Sequence, residues 1–272
     1  MMIRKQQSGL LWYEMQQPTS SGNVCLIMTT REGGVSAAPF TGLNLASHVG
    51  DDLEHVLTNR SLILNQYGMD IQQTVIGEQV HGDKIAIVTA ADAGKGSFSP
   101  PISGTDGLIT SESNMALMSF YADCVPLYVW DEQKRVIGVA HAGWRGTVLD
   151  IAGKMVENFL TGYQSNPENI RVVIGASICE QCFEVDETVI TEFQRLFDER
   201  EMRQLVCAKT DGKFLFNLKK ANHLLFVRSG VPSESIYTMP QCTVCDQEFY
   251  SYRREQGKTG RMAAIIFQQN ER

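Results

Sequence analysis

Long apolar runs are missing from this 272-residue sequence, and so is any excess of basic charge: 24 lysines and arginines stand against 31 aspartates and glutamates, a formal net charge of −7. No stretch approaches membrane-spanning length. Met1 to Gln17 carries Arg4 and Lys5 but lacks the apolar segment and small-residue cleavage site of a secretory signal. A membrane is therefore not an expected partner, and the expected location is cytoplasmic. The acidic balance also removes the broad electropositive surface on which sequence-independent nucleic-acid binding rests, which leaves small molecules as the expected partner class. Eight prolines are spread thinly through a composition of 43% hydrophobic and 20% charged residues, ordinary for a folded globular chain. Histidine is scarce as well: His48, His55, His81, His141 and His223 are all there are, so metal chemistry through imidazole must draw on that short list. There is no Walker A sequence, no G-x-G-x-x-G after a strand and no G-x-S-x-G elbow, so nucleoside triphosphates and dinucleotides are not indicated.

Cysteine, by contrast, is present seven times, at Cys25, Cys124, Cys179, Cys182, Cys207, Cys242 and Cys245. That is an odd number in a chain long enough to fold without staples, so these residues read as buried thiols, ligands or nucleophiles. Cys179-Glu-Gln-Cys182 and Cys242-Thr-Val-Cys245 have the internal spacing of a four-cysteine structural zinc site. The 59 residues between the pairs exceed ribbon spacing, and Phe183 follows Cys182 where a knuckle has glycine. Packing thiols or redox partners are the competing reading.

Short runs with strand character lie at Val24 to Thr29, Gln73 to Gly77, Lys84 to Thr89, Ala116 to Tyr121, Val136 to Ala140, Arg171 to Gly175 and Met262 to Phe267. Between them, Val148, Ile151, Ala152, Met155, Val156 and Phe159 recur at three- and four-residue steps, which predicts an amphipathic helix over Thr147 to Leu160 packed on a sheet. Weaker helical patterns cover Leu53 to Tyr67, Asp186 to Glu199 and Leu218 to Val227. The interleaving favours a mixed α/β or α+β fold with helices covering a sheet core. The proline- and serine-rich stretch Gly94 to Gly104 reads as a surface loop rather than a linker, so residues 1–272 are expected to form one domain.

Three segments place a metal-capable side chain where an apolar strand gives way to small residues: QVHG around His81, ADCVP around Cys124 and AHAGWRGT around His141. Strand ends are rigid places from which separate segments can converge. Two imidazoles and a thiolate suit zinc, and three protein ligands leave the fourth tetrahedral position of a catalytic site. Hydrogen-bonded structural histidines and an inert buried thiol are the plainer reading of the same residues. Arg145, just after His141 at the start of the predicted helix, offers a planar charged fork for phosphate or carboxylate. It is equally suited to pairing with Asp123 or Asp106. The polar N-terminal run containing Arg31, Asn44, Ser47 and His48 reads either as the lining of a ligand pocket or as a capped turn before the helix at Leu53.

Taken together, QVHG, TDGLI at Thr105 to Ile109, ADCVP and AHAGWRGT resemble the YfiH/YlmD family, once labelled laccase-like polyphenol oxidases. The resemblance is closest to the YlmD-type members of bacilli. It extends to REGGVS and LNLASHVGDD, to CFEV at Cys182 to Val185 and to FYSYRREQGKTGRMAAII, and so covers nearly the whole chain. It implies a layered α/β/β/α sandwich with mixed sheets and a zinc ion on His81, Cys124 and His141, with Cu2+ the lesser alternative. The implied activities are phosphorolysis of adenosine, inosine, guanosine and methylthioadenosine by inorganic phosphate, and deamination of adenosine to inosine. On this reading the protein works as a monomer or weak homo-oligomer. Arg145 is expected at the phosphate, Asp123 is the nearest candidate acid, and Arg31, Asn44, Ser47 and His48 are candidates for ribose or base. Cys179 and Glu180 replace the family's usual glycine and proline, and Cys245 is additional. A copper-dependent phenol oxidase and a non-catalytic zinc protein are the rival readings.

Overall fold

The apolar runs assemble into two six-stranded sheets. In the computed structural model, which describes residues 1–19 and 22–269, the first sheet runs edge to edge through Ile3–Gln7, Leu10–Thr19, Gly22–Thr29, Met262–Gln269, Ala116–Tyr121 and Thr74–Ile76. The chain's last strand thus lies near the middle of this sheet, antiparallel to both neighbours. The second sheet runs through Ile236–Thr238, Ile170–Ile174, Val125–Asp131, Val136–Ala142, Gly107–Thr110 and Ile85–Ile87. Each sheet has a parallel strand pair at an edge, so both are mixed. A small antiparallel sheet of Glu184–Val185, Phe214–Phe216 and Val206–Ala208 stands apart.

Alternation along the strands decides the layering. In Val125–Asp131 the side chains of Val125, Leu127 and Val129 join the apolar cluster under the helices. Tyr128 and Trp130 instead enter the cluster between the two sheets, so the strand is apolar on both faces. Tyr128 also donates its hydroxyl hydrogen to the Ile27 carbonyl at 2.7 Å, tying one sheet to the other. Helices Ile151–Tyr163 and Leu218–Arg228 cover the outer face of the second sheet, where Met155, Val156 and Phe159 are fully buried. Helix Leu53–Asn65 lays Ile63 and Leu64 on the outer face of the first. The result is the expected α/β/β/α layering. Truncating a ring such as Phe159 to alanine costs about 3–5 kcal/mol. None of the described helices is long and apolar enough to cross a membrane.

Two expected helices are each divided. The stripe from Thr147 to Leu160 is carried by Trp144–Val148 and Ile151–Tyr163, because Asp150 takes a left-handed backbone (φ 58°) and caps the second helix by accepting from the Gly153 amide at 3.0 Å. Asp186 to Glu199 splits into Glu187–Gln194 and Glu199–Leu205, since Asp198 and Glu201 form a reciprocal capping box that starts a new helix. Residues 94–104 form the expected loop, held by Arg60, a buried guanidinium that donates to the Gly96 carbonyl at 2.7 Å and to the Leu45 carbonyl at 2.8 Å.

Candidate metal centre

His141 lies on the last turn of pleat in Val136–Ala142, and Cys124 immediately precedes Val125–Asp131. The two strands are antiparallel neighbours with Pro126 opposite His141, so pairing alone brings the thiol beside the imidazole. His81 arrives from the other sheet, a few residues after Thr74–Ile76, in a left-handed conformation (φ 61°) that few non-glycine residues adopt. The donor atoms of His81, Cys124 and His141 all lie within 4.8 Å of one another, with Cys124 Sγ 3.9 Å from His81 Nε2. Tetrahedral zinc asks for donor separations of about 3.4–3.8 Å. The chemistry of the donor set suits zinc, and the Cys124–His81 separation lies just outside that range.

Asp106 builds this arrangement. Its buried carboxylate accepts from His141 Nδ1 at 2.8 Å and from the backbone amides of Val80, His81 and Gly82 at 3.1, 3.1 and 2.8 Å. The Asp106 carbonyl also accepts from the His141 amide at 2.8 Å. One side chain thus fixes the His141 tautomer, leaves Nε2 for a metal, and holds the strained turn that presents His81. Gly143 supplies the room: a Cβ there would stand 2.8 Å from His81 Cδ2 and 3.2 Å from Cys124 Sγ. Tyr121 tilts against the His141 ring and donates to the Ala140 carbonyl at 2.9 Å.

The electrostatics suit ligation by sulfur. Burial opposes ionisation of the Cys124 thiol, but His141 and His81 outweigh it and the pKa is held down at about 6. Burial likewise opposes charge on His141, yet the Cys124 thiolate and Asp106 raise it to about 9. For Asp106 too, burial is outweighed, chiefly by His141, and its pKa falls below the usual carboxylate value. Without a metal the three groups form a thiolate, imidazolium and carboxylate in contact.

The cluster forms part of the wall of a cavity of about 400 Å³, to which His48, Asp123 and Arg145 also contribute. Arg145 stacks on Trp144, with its guanidinium carbon 4.3 Å from the ring centroid, and pairs with neither Asp123 nor Asp106 among the described residues. Asp123, also left-handed (φ 89°), accepts from Thr243 Oγ1 at 2.6 Å, Ser251 Oγ at 3.0 Å and the Arg253 amide at 2.7 Å. Its carboxylate ties the turn carrying Cys124 to the C-terminal loop. His48 stands at the rim with its ring tilted over Phe120. His48 is exposed at this rim, yet shielding by the surrounding protein and the charges of Arg261, His141, Arg60 and His81 lower its pKa to about 4.

Arg31, Asn44 and Ser47 do not line the cavity. Arg31 is drawn into an ion pair with Glu255 at 2.6 Å and lies over the Tyr250 ring. Asn44 is buried, donating to Asp51 at 2.7 Å and accepting from the Arg261 amide at 2.9 Å, so it works behind the wall by placing Arg261. Ser47 opens the exposed 3-10 turn that carries His48. Residues that sequence reasoning did not place here include Asp106, Gln79, Phe120, Phe183, Tyr252 and Arg261. Gln79 is fixed by paired bonds to the Phe120 backbone at 2.9 and 2.8 Å.

Residues 25–269 match the family described as multi-copper polyphenol oxidoreductase laccase. The purine nucleoside phosphorylase YlmD of Bacillus subtilis is 40% identical over 241 residues, 88% of this chain and 86% of that one. Its namesake from Geobacillus stearothermophilus is 38% identical over 270 residues, covering 98% and 97% of the two chains. The crystal structure of YlmD from G. stearothermophilus superposes with a TM-score of 0.92 at 36% identity over 99% of this chain and all of that one, 100%. A YfiH protein from Bacillus licheniformis gives 0.88 at 35% identity, over 93% and 99% of the chains. With sequence, layering and the matched length in agreement, the chain belongs to the YfiH/YlmD family.

Proposed function

We propose that the chain is a zinc-dependent purine nucleoside phosphorylase that also deaminates adenosine, working at the centre formed by His81, Cys124 and His141. The observation that carries this reading is the pairing, on one cavity, of a three-donor Cys/His/His cluster with Arg145, a guanidinium that has no carboxylate partner among the described residues. Relatives named purine nucleoside phosphorylases support it.

His81, Cys124 and His141 would hold zinc, which would supply the Lewis acidity toward water that deamination at purine C6 requires. For phosphorolysis, a phosphate oxygen must form a bond to C1′ as the C1′–N9 bond breaks and the base leaves with a proton. Arg145 is the group we assign to the phosphate, since its fork matches a tetrahedral oxyanion. Phe120, Phe183 and Tyr252 offer flat apolar faces for the base. His48, neutral at assay pH, can donate or accept a hydrogen bond to the nucleoside. Asp123 positions Cys124 through its three bonds to the C-terminal loop. Adenosine, inosine, guanosine and methylthioadenosine are the proposed nucleosides, with inorganic phosphate as co-substrate.

The family description points instead to copper and phenol oxidation. A multicopper centre draws on clustered imidazoles, whereas only His81 and His141 of the five histidines belong to this cluster. A purely structural zinc would be closed by a fourth protein ligand, while this cluster has three and borders a cavity. The readings separate when zinc-loaded and copper-loaded protein are compared for base release from inosine and for oxygen uptake with a phenol. Base release that follows zinc supports the proposal; oxygen uptake that follows copper, without base release in either form, overturns it.

A further inference from the structure

Two C-x-x-C pairs take no part in the chemistry above. They follow strands Ile170–Ile174 and Ile236–Thr238, which are parallel neighbours, so the chain leaves both at the same end of the sheet. A further parallel bridge joins Ser177 to Cys242. This topology removes the objection that 59 residues separate the pairs in sequence. The sulfur atoms of Cys179, Cys182, Cys242 and Cys245 all lie within 4.8 Å of one another, with Cys182 and Cys245 at 3.4 Å.

Those separations discriminate between the ways four cysteines can meet. A disulfide needs about 2.05 Å between sulfurs, and all four thiols are free. Thiolates around one tetrahedral zinc, at a Zn–S distance of about 2.3 Å, stand about 3.8 Å apart, inside the observed range. The surroundings add a second, independent sign. The Cys179 amide donates to Cys242 Sγ at 3.3 Å, across from the first pair to the second. An N–H donor aimed at a sulfur suits a thiolate, since charge strengthens such bonds. Cations hold the same loops: Lys219, almost buried, donates to the carbonyls of Met239 at 2.9 Å and Gln241 at 2.6 Å. Arg253 donates to the Cys182 carbonyl at 3.1 Å and Arg254 to that of Val244 at 3.0 Å. They offset the double negative charge that four thiolates leave on one Zn2+.

We propose that Cys179, Cys182, Cys242 and Cys245 form a second, structural zinc site, distinct from the His81/Cys124/His141 centre. Binding exchanges the thiol protons for one Zn2+, with no change of oxidation state, and four sulfurs leave no position for substrate. The site staples together a loop that walls the cavity and a loop that braces one of its wall residues, Asp123. Ile178 and Phe183, on either side of the first pair, line the cavity, and Thr243, inside the second, holds Asp123.

Cobalt substitution in the full-length Cys124→Ser variant isolates this site, because no sulfur then remains at the other centre. The proposal expects one cobalt bound with the intense sulfur-to-cobalt absorption of a tetrathiolate, lost when Cys245→Ser is added. Zinc analysis of the wild-type protein, which needs no variant to fold, is expected to find two ions per chain, and one in Cys245→Ser. One zinc per chain in the fully loaded wild type, or a Cys124→Ser protein of native circular dichroism without sulfur-to-cobalt absorption, overturns it. So does a Cys182–Cys245 disulfide in protein purified with reductant.

Discussion

The Asp106 carboxylate meets His141 Nδ1 at 2.8 Å and, through the same two oxygens, caps the turn that presents His81. Both histidines of the centre therefore depend on one acid that is not itself a ligand. Asp106→Asn keeps the shape but weakens the charge-assisted bond, and is expected to lower zinc affinity by about 10–100-fold, as loss of an outer partner does elsewhere. Chelator competition measures this. Unchanged affinity would remove Asp106 from the account.

Gly143 has an ordinary helical-entry backbone (φ −69°), so alanine there brings no backbone strain and its effect is steric. The added methyl would sit 2.8 Å from the His81 ring. Gly143→Ala is expected to bind zinc about tenfold or more weakly, by pushing the ligands off their geometry. Far-ultraviolet circular dichroism should stay native. Full zinc affinity in this variant would show that the ligands have more freedom than the packing implies.

His48 provides the pH prediction. Its folded pKa, about 4, lies below the ordinary histidine value, so the unfolded chain takes up this proton first as pH falls. His48 therefore withdraws stability progressively from about pH 6.5 down to its folded pKa near 4, and contributes no pH dependence above that window. The His48 ring resonances are expected to stay unshifted between pH 8 and about pH 5.5 by NMR. A midpoint near 6.5 would mean that the rim of the cavity is as wet as bulk solvent.

Arg145 is exposed and, among the described residues, its guanidinium is held by stacking on Trp144 alone. If it binds phosphate, Arg145→Ala should raise the KM for phosphate about 10–100-fold, the equivalent of a charge-assisted hydrogen bond of about 1.5–3 kcal/mol. Zinc content should not change. Phosphate-independent deamination should fall much less, and equal loss of both activities would contradict the assignment.

What was legible in the sequence follows from what is local. His81, Cys124 and His141 stand at strand ends among small residues, which spacing alone leaves open between a zinc site and structural residues and only the whole-chain resemblance narrows, whereas the amphipathic stripe through Met155 and Phe159 announces its helix. The break at Asp150 could not be read from spacing, because a left-handed aspartate leaves the apolar period almost intact. Nor could Asp106: it reaches His141 because Gly107 pairs with Ala140 across the sheet, and no local pattern reports that register. Arg31 and Asn44 carry the right chemistry for a ligand but are spent on Glu255 and on placing Arg261. The two cysteine pairs lie 59 residues apart along the chain, and the parallel pairing of the strands before them is another register that no local pattern reports.

The most direct test of the central claim is chromatography of adenosine incubated with zinc-loaded protein, with and without inorganic phosphate, beside Cys124→Ser. The account predicts adenine and ribose 1-phosphate only when phosphate is present, inosine in either case, and neither product from the variant. Adenosine left intact by folded, zinc-loaded wild-type protein would contradict it.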